Sequence, residues 1–224
     1  MDWGTIFLTI RLALVVCATL LMVGTPIALW LSFTRWRWKF FVESIVAIPL
    51  VLPPTVLGFY VLVAMGSNSP LGRWYQSLTG HGLPFTFAGL AIASVIYSLP
   101  FAVQPMAAAF SQVDRNLINA SSILGAGRIR TFVRVVLPLS FGGVVTGLVL
   151  SFAHTLGEFG VVLMVGGNIP GATRTISIAI YDNVQALEYA AADRTALLLL
   201  AVSFAVLSLV YAVNRRAGAL WPWR

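Results

Sequence analysis

Five stretches of this chain run on with almost no charge: Leu12 to Phe33, Ser44 to Met65, Phe85 to Ala109, Leu139 to Val165 and Thr195 to Val213. About twenty apolar residues suffice to cross the hydrocarbon core of a bilayer as a helix. A chain that must place five such runs has few options. Water shelters none of them unless they are buried in a very large core. Lipid accepts all of them, provided each satisfies its own backbone hydrogen bonds, which long separate runs do only as helices. The composition agrees, with 59% hydrophobic residues and 9% charged, where a soluble domain is about a quarter charged. The expected fold class is an all-α integral membrane protein of five transmembrane helices, one domain over residues 1–224. The first run lacks a basic segment before it and continues to Phe33, too long for a cleaved signal peptide, so it is expected to be retained.

Charge placement gives the expected orientation. Arg35, Arg37 and Lys39 follow the first run, Arg115, Arg128, Arg130 and Arg134 lie between the third and fourth, and Arg215, Arg216 and Arg224 follow the fifth. Only Arg73, Arg174 and Arg194 fall on the opposite side, with Arg11 near that face in the first helix. By the positive-inside rule the N-terminus is outside and the C-terminus cytoplasmic. Trp3, Trp36, Trp38, Trp74, Trp221 and Trp223 fall near span ends, as an aromatic belt at headgroup depth requires.

Several chemistries are excluded. A P-loop needs a lysine after a glycine-rich turn, and the single lysine, Lys39, follows Thr-Arg-Trp-Arg-Trp. His81 and His154 sit in different segments without a matching ligand set, and Cys17 is the one cysteine, so neither an internal disulfide nor a thiolate cluster is available. No enzyme activity is expected of this chain. An ion-coupled secondary transporter stays open as an alternative. Such proteins carry ionisable groups at the membrane midplane and often an internal repeat, whereas here Glu158 is the one charge within the runs and five spans do not halve.

One span and one loop carry irregularities. Pro49, Pro53 and Pro54 lack backbone donors, so the second span must kink or break, and a broken helix faces a bundle or cavity. Between Gly166 and Arg194 a glycine- and proline-rich turn leads to residues that alternate polar and apolar from Thr175 to Tyr181. A short element at the outer mouth is expected there, helix or strand.

The segment 110–138 is the largest polar interruption. Leu117, Ala120 and Leu124 recur at helical spacing, Gly125 and Gly127 free the backbone to turn, and Ile129, Phe132 and Val136 lie opposite arginines. This pattern predicts two short helices about a glycine hinge, with Pro138 opening the next membrane helix. A small-residue helix lying across the end of a bundle is shaped for another protein's groove, and a solvated loop whose basic residues only set topology fits the same pattern equally well.

Permease subunits of ABC importers share a cytoplasmic signature of Glu-Ala-Ala, three residues, Gly, nine residues, then Ile-x-Leu-Pro. Here Asn119, Ala120 and Ser121 are followed at the same spacing by Gly125 and by Val135-Val136-Leu137-Pro138. The chain resembles that family, with Asn in place of Glu, Ser in place of the second Ala and Val in place of Ile. The runs from Pro49 to Gly66 and from Leu156 to Asp182 resemble the molybdate permease branch within it. The second run is shared in part with sulfate and thiosulfate permeases.

This resemblance implies a homodimer that takes molybdate across the cytoplasmic (inner) membrane of a prokaryote. Tungstate and sulfate or thiosulfate are the alternative cargoes. It implies two ATP-binding cassette ATPase subunits, which hold the ATP and magnesium, and an extracytoplasmic molybdate-binding protein. The chain itself binds no cofactor or metal, sits in membrane lipid and has no nucleic-acid partner. Asn119, Ala120, Ser121, Gly125, Arg128, Leu137 and Pro138 are the implied ATPase-coupling residues. Pro53, Pro54, Thr55, Gly157, Glu158 and Gly160 are the candidates for the translocation path or its gate. Placing Glu158 in the membrane costs at least ~2.5 kcal/mol, and it repels an oxyanion. It is therefore expected to hydrogen-bond within the bundle, near Thr155 and the backbones of Gly157 and Gly160. His154 is expected to pack, and Arg174 and Arg194 to face the outer solution.

Overall fold

The structure, a computed structural model, describes residues 3–220, with side chains excepted at 209–210 and 213–220. Expectations resting on Trp221, Trp223 and Arg224 fall outside the described residues, and those on Arg215 and Arg216 rest on side chains that are not described. All regular elements among the described residues are helical: α1 (Trp3–Phe33), α2 (Lys39–Val51), α3 (Pro54–Met65), α4 (Pro70–Thr79), α5 (Phe87–Ser111), α6 (Arg115–Ile123), α7 (Arg128–Thr131), α8 (Leu137–Leu139), α9 (Phe141–Gly157), α10 (Gly160–Gly166), α11 (Ile176–Gln185) and α12 (Tyr189–Leu220).

Four helical stretches are long and apolar enough to cross a membrane: α1, α5, the continuous run Arg128–Gly157, and Tyr189–Ser208 of α12. The second expected span is instead the pair α2 and α3, bent by 115°. It makes a fifth crossing only if the two halves are one span. Pro53 and Pro54 are the cause. Leu52 and Pro53 are both extended, with ψ of 138° and 137°, because neither proline can donate and the residue before a proline is driven out of the helical region.

Boundaries differ from the sequence expectation wherever polar residues are accommodated. The first helix starts at Trp3, because Arg11 lies 4.4 Å from the centroid of the Phe87 ring and buried Thr9 donates to the Thr5 carbonyl at 2.8 Å. The fourth begins at Arg128, not Leu139. Pro138 interrupts nothing, since the turn before it widens over Phe132–Val136 and the Leu137 amide donates five residues back to Phe132. Such a bulge absorbs the bond that proline cannot make.

The core gathers around α5, which packs on α1 and α9. Leu12, Val16, Leu20, Val103, Met106 and Phe110 are fully buried there. The α5–α9 contact is backbone-close. A Cβ at Gly147 would sit 2.7 Å from the Ala102 carbonyl oxygen, and one at Gly143 would meet Ala109. Glycines four apart let two membrane helices approach in this way. Ser32 bridges α1 to α5, donating to the Ala28 and Ala107 carbonyls at 2.7 and 3.0 Å. Trp3, Trp36, Trp38 and Trp74 are exposed, as side chains set in a headgroup layer would be.

Candidate functional site

The loop between the third and fourth spans is built from its caps inward. Asp114 accepts from the Asn116 amide at 2.8 Å and so satisfies one of the free donors that open α6. At the other end Gly125 adopts φ +79°. Its amide donates to Ser122 at 3.0 Å, and the Ala126 amide donates to Ser121 at 3.1 Å. This bond pair with a left-handed residue closes a helix and reverses the chain. Ser121 and Thr131 meet hydroxyl to hydroxyl at 3.0 Å, tying α6 to α7. Gly127 differs from its neighbour, with φ −69° and ψ 165°, a conformation open to any residue. The sequence expectation of a two-glycine hinge therefore narrows to Gly125.

No residue of α6 is buried. Asn119, Ala120, Arg128 and Pro138 are exposed, while Ser121 and Leu137 are half-buried. The expected stripe of Leu117, Ala120 and Leu124 thus turns away from this chain. Below the turn, Phe132 packs edge-on to Phe110 at 6.2 Å and Val136 is buried, but Ile129 leaves that stripe. Ile123, Leu124 and Ile129 are 85%, 86% and 81% exposed, flanked by the exposed Arg115, Arg128 and Arg130. Sequence reasoning missed this aliphatic tip. Its signal was present, three bulky aliphatics around the glycines of a segment read as polar.

A second cluster lies where two helices break. Gly160 opens α10 against Pro54 of α3, so that a Cβ there would come 2.6 Å from the Pro54 Cβ and 3.5 Å from the Thr55 amide. One Cβ further along, at Gly58, would reach Met164 at 2.9 Å and Val161 at 3.2 Å. The breaks at Pro53 and Glu158 are thereby brought side by side, and the first turns of α3 and α10 start together. Pro53, Pro54, Thr55 and Gly157 are exposed and Gly160 is half-buried.

Glu158 stands apart, 3% exposed inside the protomer. No hydrogen bond of full geometry reaches either carboxylate oxygen, so the expected bonds to Thr155 and to the Gly157 and Gly160 backbones are not made. The chain leaves the helix at Glu158, with ψ 129°, and the side chain turns to α5, where Ser94 faces it. Thr155 is occupied elsewhere, donating to the Ser151 carbonyl at 2.8 Å and meeting Ser98 at 3.2 Å. His154 packs as expected, stacked on Phe101 with centroids 4.0 Å apart, and its Nδ1 also meets the Ser98 hydroxyl at 3.0 Å.

The segment expected at the outer mouth resolves to helix α11 (Ile176–Gln185). Its first amide, that of Ile176, donates to Thr9 of α1 at 2.9 Å. Asn168, in a left-handed conformation at φ +58°, donates to both Asp182 oxygens at 3.1 and 2.9 Å and accepts from Arg174 Nε at 2.8 Å. Arg174 also pairs with Asp182 at 3.5 Å. Arg174 is therefore a strut of the loop, while Arg194 is exposed. Asp182→Ala is expected to cost on the order of 1 kcal/mol for this half-exposed network. Limited proteolysis should show faster cleavage between residues 167 and 175.

Residues 24–218 match the family described as binding-protein-dependent transport system inner membrane component. The chain is 52% identical over 218 residues to the molybdenum transport system permease protein ModB of Azotobacter vinelandii, covering 97% of this chain and 96% of that one. It is 35% identical to the protein of the same name from Escherichia coli K12, over 82% of this chain and 80% of that one. Among solved structures, the inward-facing MetNI methionine ABC transporter is similar with a TM-score of 0.71 at 16% identity, over 95% and 94% of the two chains. A bacterial ABC transporter involved in alginate import gives 0.73 at 17%, over 96% and 80%. At such identities these two structures speak for the fold alone.

Proposed function

Since the chain belongs to the family of binding-protein-dependent transport system inner membrane components, we propose that it is the membrane-spanning subunit of an ABC importer for molybdate. The observation that carries the cargo is the 52% identity with a molybdenum permease across nearly the whole of both chains. The exposed turn of α6 and α7 supports the mode of drive. Work delivered by a partner ATPase needs a docking surface, and Ile123, Leu124 and Ile129 offer exposed apolar surface at the end of the bundle.

In this reading two copies of the chain form the pathway, with the N-terminus outside and the α6 turn in the cytoplasm. Each α6 turn seats on one ATPase subunit, where ATP and magnesium bind. Closure of the ATPase pair draws the two turns together, and the bundles rock as rigid bodies between two discrete packings. Asn119, Ala120, Ser121, Gly125 and Arg128 form the seat, while Leu137 and Pro138 transmit its motion into α9 through the bulged turn. Pro53, Pro54, Thr55, Gly157 and Gly160, on the exposed side of the paired breaks, line the path. A binding protein delivers the oxyanion, so the path needs no strong cationic site.

Reconstituted vesicles test this. Labelled molybdate should accumulate only with the ATPase partner, ATP and the loaded binding protein all present. Accumulation by this subunit alone under an ion gradient would refute the reading. Competition by unlabelled tungstate and sulfate in the same assay decides the cargo.

A further inference from the structure

Glu158 is an acidic residue for which the transport cycle described above has no use. Its carboxylate is almost wholly buried within one protomer, so a second copy of the chain does not reach it. An ionised carboxylate buried without compensation is prohibitive, and one inside a membrane is ordinarily paired. Two ion pairs occur among the described residues, Lys39 with Glu43 and Arg174 with Asp182, and neither involves Glu158. From α5 it faces Ser94 and Tyr97. From α9 comes His154, whose Nδ1 is already engaged with Ser98. The flanking α3 and α10 carry no charged residue. On α11, Asp182 is committed to Arg174 and Asn168. Arg194 on α12 is exposed, and Arg11 on α1 lies over Phe87.

Two further observations give the missing partner its chemistry. The Ser94 hydroxyl is fully buried, faces the Glu158 carboxylate and, like both of its oxygens, makes no hydrogen bond of full geometry. Glu158 also stands at the C-terminal end of α9, where the last carbonyls have no partner within the helix and carry its negative end. Only one of these is otherwise engaged among the described residues, Leu156, which accepts from Ser177 at 3.1 Å. A carboxylate, a hydroxyl and the carbonyls of an interrupted membrane helix are all hard oxygen donors, the set that holds an alkali cation in a membrane. One carboxylate balances one positive charge, so a divalent ion would leave an excess.

We propose that Glu158, Ser94 and the carbonyl end of α9 form a resident site for a small monovalent cation of the sodium type. The ion neutralises Glu158 and pins the break between α9 and α10 to α5. This inference does not depend on the cargo or on the ATPase.

The test uses the full-length protein in nanodiscs at constant pH and ionic strength, with sodium exchanged for N-methylglucamine. Sodium should raise the unfolding midpoint saturably, as a ligand bound only to the folded state does, and labelled sodium should be retained. Glu158→Gln should abolish both effects, and Ser94→Ala should shift the sodium titration several-fold to higher concentration. Equal midpoints in both salts with no retained label would mean that a proton alone neutralises the carboxyl, and the proposal falls. It falls equally if Glu158→Gln keeps the sodium response. Should Glu158→Gln fail to fold, the Ser94→Ala titration decides, an unshifted curve counting against the site.

Discussion

Gly125→Val is expected to insert and fold, yet to lose the stimulation of ATP hydrolysis by loaded binding protein. At φ +79° the left-handed conformation costs a non-glycine residue roughly 1–2 kcal/mol, more for a β-branched one. A side chain there meets nothing within 4 Å, so the cost is local to the turn. The chain relieves it by abandoning the bonds from Gly125 to Ser122 and from Ala126 to Ser121, which close the turn that carries the exposed Ile123, Leu124 and Ile129. Because no residue of α6 is fully buried and Ile118 alone of it packs against the core cluster, the bundle registers little of the change. The measurement is ATPase activity of the reconstituted complex with and without loaded binding protein, alongside the unfolding midpoint. Basal hydrolysis and midpoint should persist while stimulation falls about tenfold or more, the equivalent of ~1.4 kcal/mol at the interface. Intact stimulation would remove the coupling role from this turn. Gly127→Ala is the matched comparison, since its ordinary backbone angles predict wild-type behaviour.

What could be read from the sequence follows from range. The existence of the spans was legible because hydrophobicity acts on each run independently, and the turn at Gly125 was legible because a left-handed residue is a local requirement. The short helix α6 was legible from its spacing, but the aliphatic tip beside it was not, since no periodicity tells that Ile123, Leu124 and Ile129 are exposed in this chain. Boundaries failed where long-range contacts shelter polar groups. Arg11 lies inside a helix because Phe87, far along the chain, offers a ring face. Pro138 sits inside a span because a widened turn absorbs it. Glu158 was recognisable as anomalous from its place in an apolar run. That it would turn to α5 and make no hydrogen bond of full geometry depended on the break angle at one residue, which the sequence does not encode locally. The same holds for Arg174, whose use as a strut needed the positions of Asn168 and Asp182 together.

Gly147→Leu should be the most damaging single change in the bundle. Its Cβ alone would stand 2.7 Å from the Ala102 carbonyl oxygen and 3.3 Å from the Ala102 Cα. Both obstacles are backbone, which cannot rotate aside, so α9 must move off α5. That separation would disturb the core packed around α5, in which Val103, Met106 and Phe110 are buried. Overpacking a core typically costs ~1–3 kcal/mol, and displacement of two whole helices places this substitution at the upper end or beyond. Gly24→Ala provides the contrast, since it faces the same stretch of α5 from α1. Its Cβ would rest 3.5 Å from Val103 and 3.8 Å from Ala102, ordinary packing distances. Relief of the glycine penalty in a helix interior is worth roughly 0.5–1 kcal/mol, so this variant should match or exceed wild-type stability. Thermal unfolding in detergent, followed by size-exclusion profile, separates the two cases. A Gly147→Leu protein that stays monodisperse at the wild-type midpoint would mean that α5 and α9 are not held in backbone contact.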